Sequence, residues 1–245
     1  MWPKRFDPNE AARAAVDGAR RAVGDRLLSA ALYGSAARGE FEPAHSDVNV
    51  VFVFSVLGVA ELEALRPAHG SWARHRLTHP LLLAKKSLDD SQDTFPLEYL
   101  LLREWHETLH GPDLYAELRV ERAALRSEVE RELRAQELGL AASYVALAGT
   151  PGGARHWAAQ ASRSIGASAT GLLHLVGEPM PARRAELAER CAARFGVDRD
   201  ALCALLTRDP DRPRLEATRL LDSGRLLVER LLSEAEGLDR PERRG

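Results

Sequence analysis

The chain has 245 residues, 34 Lys+Arg against 36 Asp+Glu, and a formal net charge of −2. That balance excludes a surface built to coat nucleic acid or anionic lipid, which needs a broad basic surplus. A composition 45% hydrophobic and 29% charged excludes a disordered tail, and the length suits one large domain or two small ones. Cys191 and Cys203 are too few for a disulfide framework or a Cys-rich zinc site, and their apolar surroundings mark them as small buried hydrophobes. Lysine occurs only at positions 4, 85 and 86. The other basic residues are arginines, as GC-rich bacterial coding produces, and Schiff-base chemistry has few carriers.

In chain order, the opening Met1–Pro8 has no apolar core of a signal peptide. The longest apolar run, 48–59, is interrupted by Asn49, Ser55 and Gly58 and is too short to span a bilayer. A cytoplasmic protein with no membrane partner is expected. Ala12, Ala15, Val16, Ala19 and Val23 recur at helical spacing within 9–26. Leu27–Tyr33 reads as a strand ending at Gly34. Residues 47–55 read as a second, with the Val/Phe run 50–54 suited to burial on both faces. A helix follows over Val59–Leu65, extending towards Trp72. Leu81–Ala84 and Pro96–Leu102 read as third and fourth strands, joined by a polar loop or one helical turn over 87–94. Beyond Gly111-Pro112-Asp113 the text turns helical, over about 114–148, 153–176, 181–195, 198–207 and 213–236. The breakers are Gly149–Gly153, Gly177–Pro179, Gly196 and Asp209-Pro210, and the charged tail 239–245 reads as frayed. Two domains are expected, 1–112 and 113–245.

The stretch richest in chemistry is Leu32-Tyr33-Gly34-Ser35, then Arg38-Gly39, then Ser46-Asp47-Val48-Asn49-Val50-Val51. A strand enters Gly-Ser, a turn and loop follow, and a polar pair opens the next strand. This order resembles the nucleotidyltransferase superfamily, which includes DNA polymerase β, the aminoglycoside nucleotidyltransferases and the minimal nucleotidyltransferases. The match covers about residues 27–55, and more loosely the α/β part to 112. It implies an α+β fold, a nucleotidyltransferase-like mixed sheet with helices followed by an all-α helical bundle. It also implies Mg²⁺-dependent transfer of a nucleoside monophosphate from a nucleoside triphosphate to a hydroxyl of a small molecule or protein.

On that resemblance Gly34 lets the backbone approach a triphosphate, and Ser35 offers a hydroxyl and an N–H to it. Arg38 adds a forked phosphate contact and Ser46 completes the nucleotide-binding set. Positions 47 and 49 lie two apart along a strand and so share a face. Asp47 is the expected metal ligand, and Glu98 the expected third acid, as metal ligand or as base; Asp93 and Glu104 are weaker choices for that role. The departure is Asn49, where the superfamily pattern has a second acid. Mg²⁺ is held largely by carboxylates and phosphates, so the metal site is reduced. Two readings stay open: an enzyme with a weakened metal site, or a catalytically silent nucleotide- or partner-binding module. An acceptor would lie in the cleft between the two domains, and self-association remains open.

A competing pattern is His106-Glu107-Thr108-Leu109-His110, the His-Glu-x-x-His of zinc hydrolases, which needs both histidines on one face of a helix. Its position between a strand-like run and Gly111-Pro112 argues against that helix, and Leu109-His110-Gly111 resembles the Leu-Tyr-Gly end of an apolar segment in nucleotidyltransferase-like proteins. His69, His75 and His79 surround Trp72 and read as surface or core residues. In the helical half, His156 and His174 lack the upstream arginine of a HEPN-type nuclease. Leu118, Leu125, Val129, Leu133 and Leu140 read as packing surface, and Arg126, Glu130 and Arg134 as a solvated face. Arg155, His156, Trp157, Arg163 and Ser164 read the same way, with acceptor contact the alternative.

Overall fold

The computed structural model describes residues 6–42, 46–77, 80–147, 150, 153–207 and 217–238. The opening 1–5, His79, the breakers Gly149, Pro151, Gly152 and Asp209-Pro210, the side chains of Arg155 and His156, and the tail 239–245 lie outside the described residues. The chain divides into two units, Met1–Val120 and Glu121–Gly245.

In the first unit, helix α1 (Pro8–Val23) starts because Pro8 presets its first turn and the Asp7 carboxylate accepts the Asn9 and Glu10 N–H groups. Its buried stripe is almost all alanine (Ala11, Ala12, Ala15, Ala19, with Val16), so the helix lies close to the sheet beneath it. Four strands form that sheet: β1 (Leu27–Tyr33), β2 (Asn49–Phe54), β3 (Leu81–Ala84) and β4 (His106–His110), in spatial order β3-β2-β1-β4. β1 runs antiparallel to β2 and β4, while β2 and β3 are parallel.

Both faces are covered, which is why β1 and β2 are nearly continuous apolar runs. Ala30, Leu32, Val50, Phe52 and Phe54 pack with α1 and Trp72, whose ring stacks on Phe52 at 5.4 Å. Ala31, Val51 and Val53 pack against Leu88, Tyr99, Leu102, Tyr115 and Leu118. Between the strands lie α2 (Val59–Leu65), α3 (His69–Arg74), α4 (Lys85–Asp90) and α5 (Pro96–Glu104).

Two expectations change. Residues 96–102 are helical, not a strand: Pro96 sits in the first turn, and the buried pairs Leu97/Leu100 and Tyr99/Leu102 are three apart, on helix faces. The fourth strand is His106–His110. The first unit also continues past Gly111-Pro112 to Val120, since Tyr115 and Leu118 are 0% and 5% exposed in its core.

The second unit is helical among the described residues: α6 (Arg122–Leu147), α7 (Gly153–Leu175), α8 (Arg184–Phe195), α9 (Arg199–Thr207) and α10 (Ala217–Gly237). α6 packs on α7 and α10, and α8 on α9. Leu125, Val129, Leu133, Leu140, Trp157, Ile165, Leu172, Leu227 and Leu231 are buried there. Trp157 Nε1–H donates to Leu140 O at 3.3 Å, so its buried indole keeps a partner. α8 stops at Gly196, whose φ of +66° suits a left-handed C-cap. No described helix is long and apolar enough to cross a membrane. The architecture is α+β: a mixed, helix-covered sheet followed in sequence by an all-helical unit.

Candidate functional site

β1 ends at Tyr33, and the chain reverses through Gly34 at φ +75°. A tight turn over 34–40 is closed by three backbone bonds: Arg38 N–H to Gly34 O (3.1 Å), Gly39 N–H to Ala36 O (3.1 Å) and Glu40 N–H to Ser35 O (2.8 Å). The N–H groups of Ser35, Ala36 and Ala37 are not used in closing it, and Ala36 is buried beneath. The loop that follows is pinned by Ser46: its Oγ accepts the Glu42 N–H at 3.0 Å, and its own N–H donates to Glu42 O at 2.8 Å. Ser46 therefore shapes the approach to β2.

Val48 N–H then donates to Arg76 O at 3.0 Å. Arg76, in the turn after α3, is the non-glycine residue with positive φ (+62°) among the described residues. Such a backbone costs about 1–3 kcal/mol and marks a position fixed by its surroundings. Here it aims a carbonyl at the segment carrying Asp47 and Asn49.

Asp47 is exposed just before β2 and has no hydrogen-bond or ion-pair partner among the described residues. Asn49 is paired directly with Tyr33 across the β1–β2 ladder, so the two share a face. Its amide folds over the turn: Nδ2 lies 2.8 Å from where a Cβ on Gly34 would be. Gly34 is thus required twice, by its φ and by the lack of room for a methyl group.

Glu98 stands in the first turn of α5, not on a strand. Its carboxylate accepts the Tyr33 phenol. Burial raises the Tyr33 pKa far above its ordinary value, and the Glu98 charge adds to the effect. On the other side of Tyr33, His106 is its partner in β4, giving a polar row His106–Tyr33–Asn49 across three strands. On that face of β3 the described residues are Leu81 and Leu83, which pair with Val51 and Val53. Arg38 has its guanidinium 5.0 Å over the Trp105 ring and 3.7 Å from Glu40, and burial lowers its pKa while Glu40 opposes. Asp93 is exposed beside Thr94, and Glu104 pairs with Arg103 at 3.0 Å, so both carboxylates are engaged locally.

The zinc-hydrolase pattern is overturned. His106–His110 is a strand, and an irregularity in the β1–β4 pairing sets His106 opposite Tyr33 but His110 opposite Ala30. Tyr33 and Ala30 belong to cores on opposite faces of the sheet, so the histidines turn apart. Each ring is already used: His106 contacts Leu102 O (2.9 Å) and the Asp113 carboxylate (3.1 Å), and His110 contacts Leu27 O (3.3 Å). Glu107 pairs with Arg13 at 2.7 Å.

Sequence reasoning named Gly34, Ser35, Arg38, Ser46, Asp47, Asn49 and Glu98. It missed Tyr33, Arg76, Trp105 and the His106–Asp113 pair. Tyr33 carried a usable signal as a polar side chain ending an apolar strand, immediately before Gly-Ser. The described residues do not fit a two-metal Mg²⁺ centre: position 49 is an amide, the described β3 residues on that face are leucines, and Glu98 accepts from Tyr33. Among the described residues no group of three His, Cys, Asp or Glu side chains is placed to hold a metal ion.

No family model matches the chain, and no curated protein matches it. Among solved structures it is similar to spectinomycin adenyltransferase AAD(9) from Enterococcus faecialis, determined with ATP and spectinomycin. The TM-score is 0.59 at 12% sequence identity, over 93% of this chain and 99% of that one. At that identity the likeness establishes the fold, which is nucleotidyltransferase-like.

Proposed function

We propose that this protein binds a nucleoside triphosphate at the Gly34–Ser35 turn and acts as a nucleotide-responsive module, not as a transferase. The observation that carries this reading is the acid set. The turn keeps its shape, and the Ser35, Ala36 and Ala37 N–H groups that take no part in closing it form a natural cradle for phosphate. The carboxylates that would organise metal-assisted transfer are reduced to Asp47, with Asn49 beside it and Glu98 bonded to a phenol. The fold shared with an adenyltransferase solved with ATP supports the nucleotide as ligand; fold by itself does not carry activity.

One feature favours the second reading, transfer of a nucleotide to a hydroxyl of an aminoglycoside-like acceptor. Asp47 is exposed in the motif position, and Glu98 reaches Tyr33, the cross-strand partner of Asn49. Calorimetric titration of the full chain with ATP, GTP, CTP and UTP, followed by a pyrophosphate-release assay with Mg²⁺ and spectinomycin or other aminoglycosides, separates the two. The expected result is saturable binding of at least one nucleotide with pyrophosphate release at the buffer rate. Release above that rate overturns the module reading, and no binding to any nucleotide overturns the nucleotide site.

A further inference from the structure

Resting on the nucleotide reading above, we infer that this site takes the triphosphate without a divalent cation, with Asn49 acting as a direct amide donor to phosphate where an acid would have held Mg²⁺. Replacing a carboxylate by an amide does more than remove a charge. A carboxylate only accepts and so needs a cation between itself and a phosphate, whereas an amide nitrogen donates two N–H groups and can meet a phosphate oxygen directly. Asn49 presents that nitrogen to the turn: Nδ2 is the atom nearest the position of a Gly34 Cβ, at 2.8 Å. The Asn49 side chain has no hydrogen-bond partner among the described residues.

The surroundings agree. A metal-free triphosphate carries about four negative charges, and a site keeping three ionised acids repels it strongly. Here the motif position on β2 is the neutral Asn49, β3 presents Leu81 and Leu83 on the same face, and the Glu98 charge is directed at the Tyr33 phenol. The charged groups at and beside the turn are Asp47, exposed at the entrance, Arg38, held over Trp105 and paired with Glu40, and Glu98, which stays charged as it accepts the Tyr33 phenol. Asp47 then changes role. As a metal ligand it would strengthen nucleotide binding, but without a metal its charge opposes the phosphates, so its removal separates the two arrangements by sign.

The test is calorimetric titration of ATP into the full chain in EDTA and again in excess Mg²⁺. The wild type is expected to bind in EDTA, with Kd changing less than about threefold on adding Mg²⁺. Asp47→Asn is expected to tighten binding in EDTA by about two- to fivefold, the relief of one partly screened like charge. Asn49→Asp, isosteric with the native residue, is expected to weaken binding in EDTA about tenfold and to regain it with Mg²⁺. Wild-type binding that tightens more than tenfold with Mg²⁺, or weaker binding by Asp47→Asn, overturns the inference while leaving the nucleotide site standing. No binding under either condition removes the nucleotide reading and this inference with it.

Discussion

At Gly34 one residue is asked to satisfy backbone and packing together. A methyl group there meets a φ of +75° and the Asn49 amide at 2.8 Å. Gly34→Ala is expected to lower stability by about 1–3 kcal/mol in chemical denaturation, the cost of a left-handed non-glycine residue plus displacement of Asn49. Asn49→Ala in the same chain should recover the packing part and leave the backbone part, so a double-mutant cycle that is strictly additive refutes the contact. Tyr33 gives a second test at this scale. Its phenol pKa is raised in the folded chain, first by burial and then by Glu98. The folded state thus holds the proton more tightly than the unfolded state. That contribution is fully present below the unfolded phenol value of about 10 and is lost as pH rises beyond it. Urea melts between pH 8 and 11 should show a steeper alkaline decline for wild type than for Tyr33→Phe. The buried Tyr115 phenol is raised too, again chiefly by burial, so some slope remains in that variant.

Among the elements, the three strands built on largely apolar text were legible: β1 and β2 bury side chains on both faces and β3 half-buries its leucines, and composition announces that. α5 was not, because a seven-residue run of mostly large apolar residues satisfies helix and strand spacing equally, and only its packing against Tyr115 and the sheet decides. β4 was hidden for the opposite reason. His106-Glu107-Thr108-Leu109-His110 is polar for a strand, and beyond its ladder to β1 it is anchored by side-chain bonds that local pattern does not reveal. The main one joins His106 to Asp113. Burial pushes the Asp113 carboxyl up, but the N–H groups of Tyr115 and Ala116 and the His106 ring outweigh it and hold it below its usual value. The depressed pKa makes its stabilisation complete above the unfolded carboxyl value of about 3.9 and progressively lost as pH falls below it. Acid titration of the melting temperature should therefore be shallower for Asp113→Asn than for wild type below pH 4. Since the ladder to β1 and these side-chain bonds hold β4, EDTA should leave the melting temperature of the wild type unchanged; a fall of several degrees that zinc reverses would restore a metal role.

For the molecule as a whole, the two units divide the readable signals unevenly. The motif lies in the first, where residue order announced Gly34, Ser35 and Asp47, while the supporting row through Tyr33 and His106 emerges only when three strands align. The second was legible as helices from apolar spacing, and it carries both cysteines, which turns chemically quiet residues into a probe. Cys191 on α8 and Cys203 on α9 are 0% and 1% exposed. Burial pushes the Cys191 thiol up to about 12, so at pH 8 the reactive thiolate is scarce as well as inaccessible. Ellman's reagent at pH 8 is expected to leave both thiols unmodified over an hour in the native chain and to titrate both at once in 6 M guanidinium chloride. With warming, labelling should appear only as the second unit opens, rising in proportion to reagent while reclosing outpaces labelling and levelling at the opening rate once labelling is the faster. A thiol that reacts in the native chain at the rate of a free cysteine would show that the α8–α9 pair does not close over its sulfurs.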